Sequence, residues 1–187
     1  MYDLHSILIQ LKKEDTPLHG VMVRCVRCFY QWLDPTLWEG SALFELWAQE
    51  LELIYGDLRQ RLSPNAKTDA GSLGDRFGFD TPPELPRLLQ SIQTFYSVLI
   101  KLIAWNTLRG ATPEPPLTEL LSGRAFVNRG IRNFCGDDWY IWPLDIWDPA
   151  LETQGEELRA CLEAFDTCPE GSTLSPDSLS RIYETVV

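Results

Sequence analysis

Residues 94–108, TFYSVLIKLIAWNTL, constrain the fold more than any other stretch of the sequence. Apolar residues occur on all sides of a helix drawn through this stretch, and Lys101 is its only charge. A helix that is apolar all round is buried in a soluble protein, and this one is too short and too polar for a membrane span. Pro86 suits the first turn of such a helix, and Gly110 suits its end. We therefore predict a buried central helix over about residues 87–109.

Amphipathic patterns on either side of the central helix predict further helices that would cover it. Apolar residues recur there at helical spacing, and no alternation typical of β-strands extends beyond a few residues. The predicted helices cover residues 4–12, 18–33, 41–62 and 150–166, and a final helix begins near Pro176. The sequence thus predicts an all-α protein, an irregular multi-helix bundle around the central helix.

Proline and glycine residues predict where the helices are interrupted. Residues 63–86 hold four Pro and three Gly and are expected to form a long loop. The stretch GATPEPPL marks a second break after the central helix. We predict a single helical domain over residues 1–187, with N-terminal helices in 1–62. The central helix, a tryptophan-rich joint and the C-terminal helices occupy 87–187.

Charge is distributed unevenly along the chain. The protein has 187 residues, 44% of them hydrophobic, which is enough for a core, and its net charge is −11. Residues 1–136 hold 14 Lys/Arg and 15 Asp/Glu, whereas residues 137–187 hold 2 and 12. An acidic surface repels nucleic acid, so we expect DNA to be bound weakly or only indirectly. The five Cys form no regular framework, which is typical of a reduced, cytoplasmic protein.

Motifs that carry chemistry are few. Cys25 and Cys28 form a CxxC pair, but they lie inside a helical pattern, and the only histidines are His5 and His19. A zinc site typically takes four ligands from two such pairs, so we interpret these cysteines as core thiols. The sequence contains no phosphate-binding loop, dinucleotide-binding loop, HExxH or GxSxG motif. An enzyme with an unrecognised site remains an alternative, and we predict no metal.

Two groups of arginines are candidate contacts. Arg24 and Arg27 lie one turn apart on a predicted helix, where they either face solvent or grip a phosphate or a partner carboxylate. Arg124, Arg129 and Arg132 lie close together, just before the acidic part of the chain. A phosphate contact is one hypothesis for these three, and pairing with carboxylates that follow them is the simpler one.

The segment GDDWYIWPLDIWD alternates acidic and aromatic side chains. Asp137 and Asp138 are the carboxylates nearest to the three arginines. Metal binding or acid–base chemistry by these acids is one interpretation. We favour a packing joint, in which Trp139, Tyr140 and Trp142 point inward and the carboxylates point outward.

Several blocks, in order, resemble one protein family. They are LWEGSALFELWAQELELIYGDL, TFYSVLIKLIAWNTL, FVNRGIRNFCGDDWYIWPLDIWD and the closing DSLSRIYETVV. These blocks are similar to the amino-terminal helical region of large bacterial N6-adenine DNA methyltransferases, which belong to restriction–modification and related phage-defence systems. The resemblance covers residues 37–187.

The resemblance implies a domain without chemistry of its own. In the family, a catalytic domain follows with an S-adenosylmethionine loop and an Asn-Pro-Pro-Tyr/Phe motif that holds the flipped adenine. Here Pro82-Pro83 and Pro115-Pro116 have neither the Asn nor the aromatic residue. We therefore expect no catalytic or cofactor-binding residue in this chain, and S-adenosylmethionine only in a parent or partner catalytic domain.

The family order suggests a truncated gene, a split subunit or a fragment that braces a methyltransferase domain. The residues expected to make interdomain or partner contacts are Tyr55, Asp57, Arg124, Arg129, Arg132, Asp137, Asp138, Trp139, Trp142 and Tyr183. The alternative is a stand-alone acidic interaction protein, a regulator or DNA mimic that binds a basic protein surface. Neither hypothesis involves a membrane.

Overall fold

Helices make up most of the described part of the chain, which in the computed structural model comprises residues 4–33, 49, 67–108, 113–132, 134 and 149–163. Among these residues there are seven helices and no β-strand, which confirms the all-α prediction. The helices are α1 (Leu4–Lys12), α2 (Pro17–Trp32), α3 (Lys67–Arg76), α4 (Leu85–Leu108), α5 (Leu117–Leu121), α6 (Arg124–Val127) and α7 (Pro149–Glu163). The tryptophan-rich joint, the helix predicted from Pro176 and all but residue 49 of the helix predicted over 41–62 lie outside the described residues.

The first two helices form where the sequence predicted them, and one turn joins them. The Thr16 hydroxyl caps α2 by accepting a hydrogen bond from the His19 backbone N–H at 3.3 Å, and Pro17 fits the first helical position. The His19 ring is buried, and its Nδ1 lies 2.8 Å from the Leu11 carbonyl oxygen. A carbonyl only accepts, so Nδ1 carries the proton and ties the end of α1 to α2.

The central helix α4 packs against α2, α5 and α7, and α1 covers α2. Its side chains Ile92, Phe95, Leu99 and Ile103 are fully buried. The segment Leu85–Asn106 is long and apolar enough to cross a membrane, so the prediction that this helix is too short and too polar for a span is wrong. Within the protein, however, 72% of its most apolar part is buried. The burial of α4 confirms the prediction of a central helix in the core.

Polar residues on α4 are buried as well, and two of them, Thr94 and Lys101, donate hydrogen bonds to backbone carbonyls. Thr94 Oγ1 donates to the Gln90 carbonyl at 2.8 Å, one turn earlier in the helix. Lys101 Nζ donates to the Leu121 carbonyl at 2.8 Å, and the lysine is only 3% exposed. Leu121 is the last residue of α5, where carbonyl groups lack helical partners. The single charge of the apolar stretch therefore fastens α5 to α4.

The segment predicted as a loop over 63–86 differs from the prediction, because it contains α3. Its prolines lie at the two ends of the segment, which leaves the middle free to form helical hydrogen bonds. Gly74 is in this helix for a packing reason: a Cβ atom built there would lie 2.5 Å from Pro83 Cδ. From the sequence, Gly74 was interpreted as a helix breaker. In the fold, its missing side chain allows α3 to lie close to Pro83, just before α4 begins.

Two glycines of α3 are expected to respond in opposite ways to alanine. Gly74→Ala forces Pro83 away, and this overpacking lowers the free energy of unfolding by about 1–3 kcal/mol. The higher helix propensity of alanine returns about 1 kcal/mol of that loss. Gly71→Ala has nothing within 4 Å of the new methyl group, so only the gain of up to about 1 kcal/mol applies. Urea denaturation of both variants measures the difference. Equal stabilisation by the two substitutions would contradict the packing of α3 on Pro83.

The remaining helices close the bundle. Gly123 links α5 to α6 with a φ of +78°, a conformation in which glycine avoids a Cβ clash. Phe126 of α6 meets Trp105 edge-on, with ring centroids 5.7 Å apart, and Phe134 packs 4.3 Å from Phe126. The helix predicted over 150–166 is present as α7, which begins at Pro149 and is described to Glu163.

Candidate partner-binding surface

Three of the ten predicted contact residues lie in the described part of the chain. They are Arg124, Arg129 and Arg132. The other predicted contacts, Tyr55, Asp57, Asp137, Asp138, Trp139, Trp142 and Tyr183, lie outside the described residues, as do the carboxylates suggested as partners of the arginines.

The three arginines have different surroundings. Arg129 Nη1 donates to the Leu108 carbonyl at 2.5 Å, and its guanidinium lies 5.3 Å from the centre of the Trp105 ring. Arg129 therefore caps the last residue of α4, where a cation is favourable. Arg124 begins α6 and Arg132 follows it, and both are exposed. Their proximity in sequence predicted a common role, but Arg129 has a structural one.

The CxxC cysteines are free core thiols, as predicted. Cys25 is buried and Cys28 half-buried on α2, and Cys161 of α7 is also free. Burial raises the pKa of the Cys25 thiol far above its ordinary value; Cys28 adds to the shift and Arg24 opposes it. Burial also raises the pKa of Cys161, again against Arg24. The thiolate is the reactive form, so Cys25 and Cys161 are poor nucleophiles. No metal-binding group of His, Cys, Asp or Glu occurs among the described residues.

An ion pair joins α2 to α7. Arg24 Nη2 lies 2.6 Å from Glu157 Oε2, and both side chains are about half exposed. An exposed pair contributes little to stability, on the order of 0–1 kcal/mol. The pair does show that an exposed guanidinium on this side of α2 binds a carboxylate.

A second cluster fixes the proline-rich turn before α5. The Arg159 side chain is 10% exposed and its Nη1 lies 3.1 Å from Glu156 Oε1. Its Nε lies 3.4 Å from Glu114 Oε2, near enough for an ion pair but without hydrogen-bond alignment. Nη2 donates to the Pro115 carbonyl at 3.2 Å. Glu156, a half-exposed carboxylate of the acidic C-terminal part of the chain, thus pairs with an arginine of its own helix.

The second arginine of α2 belongs to a different group of side chains. Arg27 Nη1 donates to the Gly78 carbonyl at 2.7 Å, and its guanidinium lies 5.6 Å from the centre of the Phe79 ring. Phe79 in turn meets Tyr30 edge-on, with centroids 4.8 Å apart and planes at 69°. The loop after α3 is therefore held against α2 by a guanidinium and two rings.

Arg87, near the start of α4, completes this group. Its guanidinium lies 4.2 Å from the centre of the Tyr30 ring, and Nη2 donates to the Gln31 carbonyl at 3.3 Å. The Tyr30 hydroxyl accepts a hydrogen bond from the Glu84 backbone N–H at 3.0 Å. We call Arg27, Tyr30, Phe79 and Arg87 the arginine–aromatic cluster.

The cluster carries two positive charges that form no ion pair with a carboxylate of the described residues. Each guanidinium donates to one backbone carbonyl, and within the part of the chain that the structure describes no ion pair forms at Arg27 or Arg87. A guanidinium has five N–H donors, so each retains donors for another acceptor. Sequence reasoning noted Arg27 but missed Tyr30, Phe79 and Arg87, because no periodicity connects residues so far apart in the chain.

A small cavity lies between α2, α4, α5 and α7. Cys25, Phe95 and Gln154 are among the residues that line it, and its volume is about 20 Å³. That volume admits one water molecule and no substrate or cofactor. The cavity is therefore a packing defect of the core, and the arginine–aromatic cluster is the better candidate for a binding surface.

Comparisons of the chain with protein-family models, curated proteins and solved structures find no match. The resemblance to adenine methyltransferases thus depends on the sequence blocks quoted above.

Proposed function

We propose that this chain is a non-catalytic helical accessory domain that binds the catalytic domain of an N6-adenine DNA methyltransferase. The proposed setting is a cytoplasmic restriction–modification or phage-defence system, in which the partner binds S-adenosylmethionine and this chain contacts DNA weakly or indirectly. The order of the sequence blocks supports the choice of partner. The observation that carries the proposal is that charged side chains hold parts of this chain together. It supports a binding role.

That observation concerns groups that enzymes often use for chemistry. Lys101 is a buried cation on the central helix, and it fastens the end of α5. Arg159 is buried between two glutamates and holds the proline-rich turn. Burial raises the pKa of the Cys25 thiol and keeps it protonated. Each group has a structural task, which favours a domain that supports another protein.

The alternative proposal, an acidic DNA mimic, requires carboxylates that are free to imitate phosphates. Glu157 pairs with Arg24 at 2.6 Å, and Glu156 pairs with Arg159 at 3.1 Å. These two acids of the charged C-terminal part are already neutralised by arginines of the same chain. The geometry of the described residues therefore favours the accessory domain.

Co-expression of the tagged chain with an N6-adenine methyltransferase catalytic domain tests the proposal. We expect the two to co-purify and the methylation of DNA to depend on both. A basic protein such as lysozyme serves as a control for binding by charge alone. Absence of any complex would rule out the split-subunit form of the proposal, and methyl transfer by this chain alone would show that it is an enzyme.

A further inference from the structure

We propose that the arginine–aromatic cluster of Arg27, Tyr30, Phe79 and Arg87 is the docking site for an acidic segment of a partner protein, bound through its carboxylates. This inference names a binding site for the proposed function. It rests on that function only in assuming that the domain acts by binding a protein. The contacts described above support this choice of site and of ligand class.

The first argument is that the site is organised before a ligand arrives. The Tyr30 and Phe79 rings face the guanidiniums, and the Gly78 and Gln31 carbonyls hold one nitrogen of each. These hydrogen bonds lie at the surface. Binding therefore requires little further ordering of two long side chains, and ordering is a major cost of association.

The second argument is the chemistry of the remaining donors. A guanidinium presents its N–H groups as a planar fork that matches the two oxygens of a carboxylate. Arg24, one helical turn from Arg27 on α2, already holds the Glu157 carboxylate at 2.6 Å. Arg27 and Arg87 present the same chemistry, and within the described part of the chain no carboxylate occupies them.

The third argument concerns which anion is bound. Nucleic acid is also rich in groups that arginine binds, but it is a long polyanion, and the chain carries a net charge of −11. A short acidic segment with apolar neighbours meets far less of that repulsion, because charges beyond about 8 Å are screened at physiological ionic strength. The half-buried Tyr30 and Phe79 rings also offer apolar surface to such a segment.

The test uses the full chain and short fluorescent probes in anisotropy titrations at low and physiological ionic strength. The probes are a peptide containing several Glu and Trp residues, the same peptide with Gln in place of Glu, and a single-stranded oligonucleotide. We expect saturable binding of the Glu peptide and weaker binding of the other two. Tighter binding of the oligonucleotide, or no saturable binding of the Glu peptide, would overturn the proposal.

Two double variants carry the same change of charge. R27Q/R87Q removes both guanidiniums of the cluster, and K12Q/K13Q removes two exposed lysines at the end of α1. We expect R27Q/R87Q to weaken binding of the Glu peptide at least about tenfold, and K12Q/K13Q to weaken it by less than about threefold. Equal losses in the two variants would show a general charge effect and no site.

Because Arg27 and Arg87 also hold the loop after α3, folding is tested separately from binding. R27K/R87K keeps both charges but removes the planar forks, so we expect it to remain folded by circular dichroism and to bind the Glu peptide more weakly than the wild type. Wild-type affinity in this variant would contradict recognition by the guanidinium forks.

Co-purification with the methyltransferase domain separates this proposal from the proposed function. If R27Q/R87Q still binds that domain as the wild type does, the accessory role stands and the cluster is not its docking site. If the wild-type chain binds the Glu peptide through the cluster but binds no methyltransferase domain, the site stands and the proposed partner is wrong.

Discussion

Replacing Phe95 by alanine is expected to lower the free energy of unfolding by about 3–5 kcal/mol, the largest loss that we expect from one substitution. Phe95 is fully buried on the central helix and lines the small cavity together with Cys25 and Phe29 of α2 and Leu158 of α7. Truncation enlarges this cavity, because three helices meet around the ring and cannot all move into the space. The substitution thus measures how strongly the bundle depends on α4.

Two further variants make this measurement specific. Phe95→Leu keeps most of the apolar volume and is expected to cost about 1 kcal/mol. Leu108→Ala changes the exposed end of the same helix, where the leucine is 38% exposed, and is expected to cost less than about 1 kcal/mol. Urea denaturation followed by circular dichroism gives the three values. A loss at Phe95→Ala no larger than that at Leu108→Ala would contradict the central position of α4.

The sequence could predict this central position because the pattern is local. The residues from 94 to 108 place apolar side chains on every side of a helix, and such a helix has to be buried over most of its surface. The boundary between α1 and α2 also carries a local signal, since Thr16-Pro17 suits the start of a helix. The helix α3 was missed because the effect of Gly74 depends on Pro83, which approaches it only in the folded chain.

The candidate site was less predictable than the fold, for the same physical reason. For Arg27 the sequence favoured a solvent-facing side chain, with a phosphate or a partner carboxylate as the alternative, whereas its guanidinium lies against the Phe79 ring of the loop after α3. Conversely, Arg129 was grouped with its neighbours in sequence, whereas the fold places it on the Leu108 carbonyl. The interpretation of Cys25 as a core thiol succeeded because it required only the helical periodicity of α2.

Cys25→Ala is expected to destabilise the protein at neutral pH and to lose most of this effect at alkaline pH. In the folded protein, burial raises the pKa of the Cys25 thiol, with Cys28 adding to the shift and Arg24 opposing it. Unfolding exposes the thiol, whose pKa then returns to about 8.5. Above that pH the unfolded chain releases a proton that the folded protein retains. The free energy of unfolding of the wild type therefore falls by about 1.4 kcal/mol per pH unit from this group, a loss of about 2 kcal/mol by about pH 10.

The alanine variant lacks this proton, so the difference in stability between wild type and Cys25→Ala is expected to shrink by about 2 kcal/mol between about pH 7.5 and pH 10. Groups that do not interact with Cys25 contribute equally in both proteins and cancel in the difference. Val26→Ala is the matched control, because Val26 is the fully buried neighbour on α2 and has no proton to lose. Its destabilisation should be the same at both pH values when measured by urea denaturation under reducing conditions. A constant difference for Cys25→Ala as well would mean that the pKa of Cys25 is the same in the folded and the unfolded protein, so that burial does not suppress its thiolate.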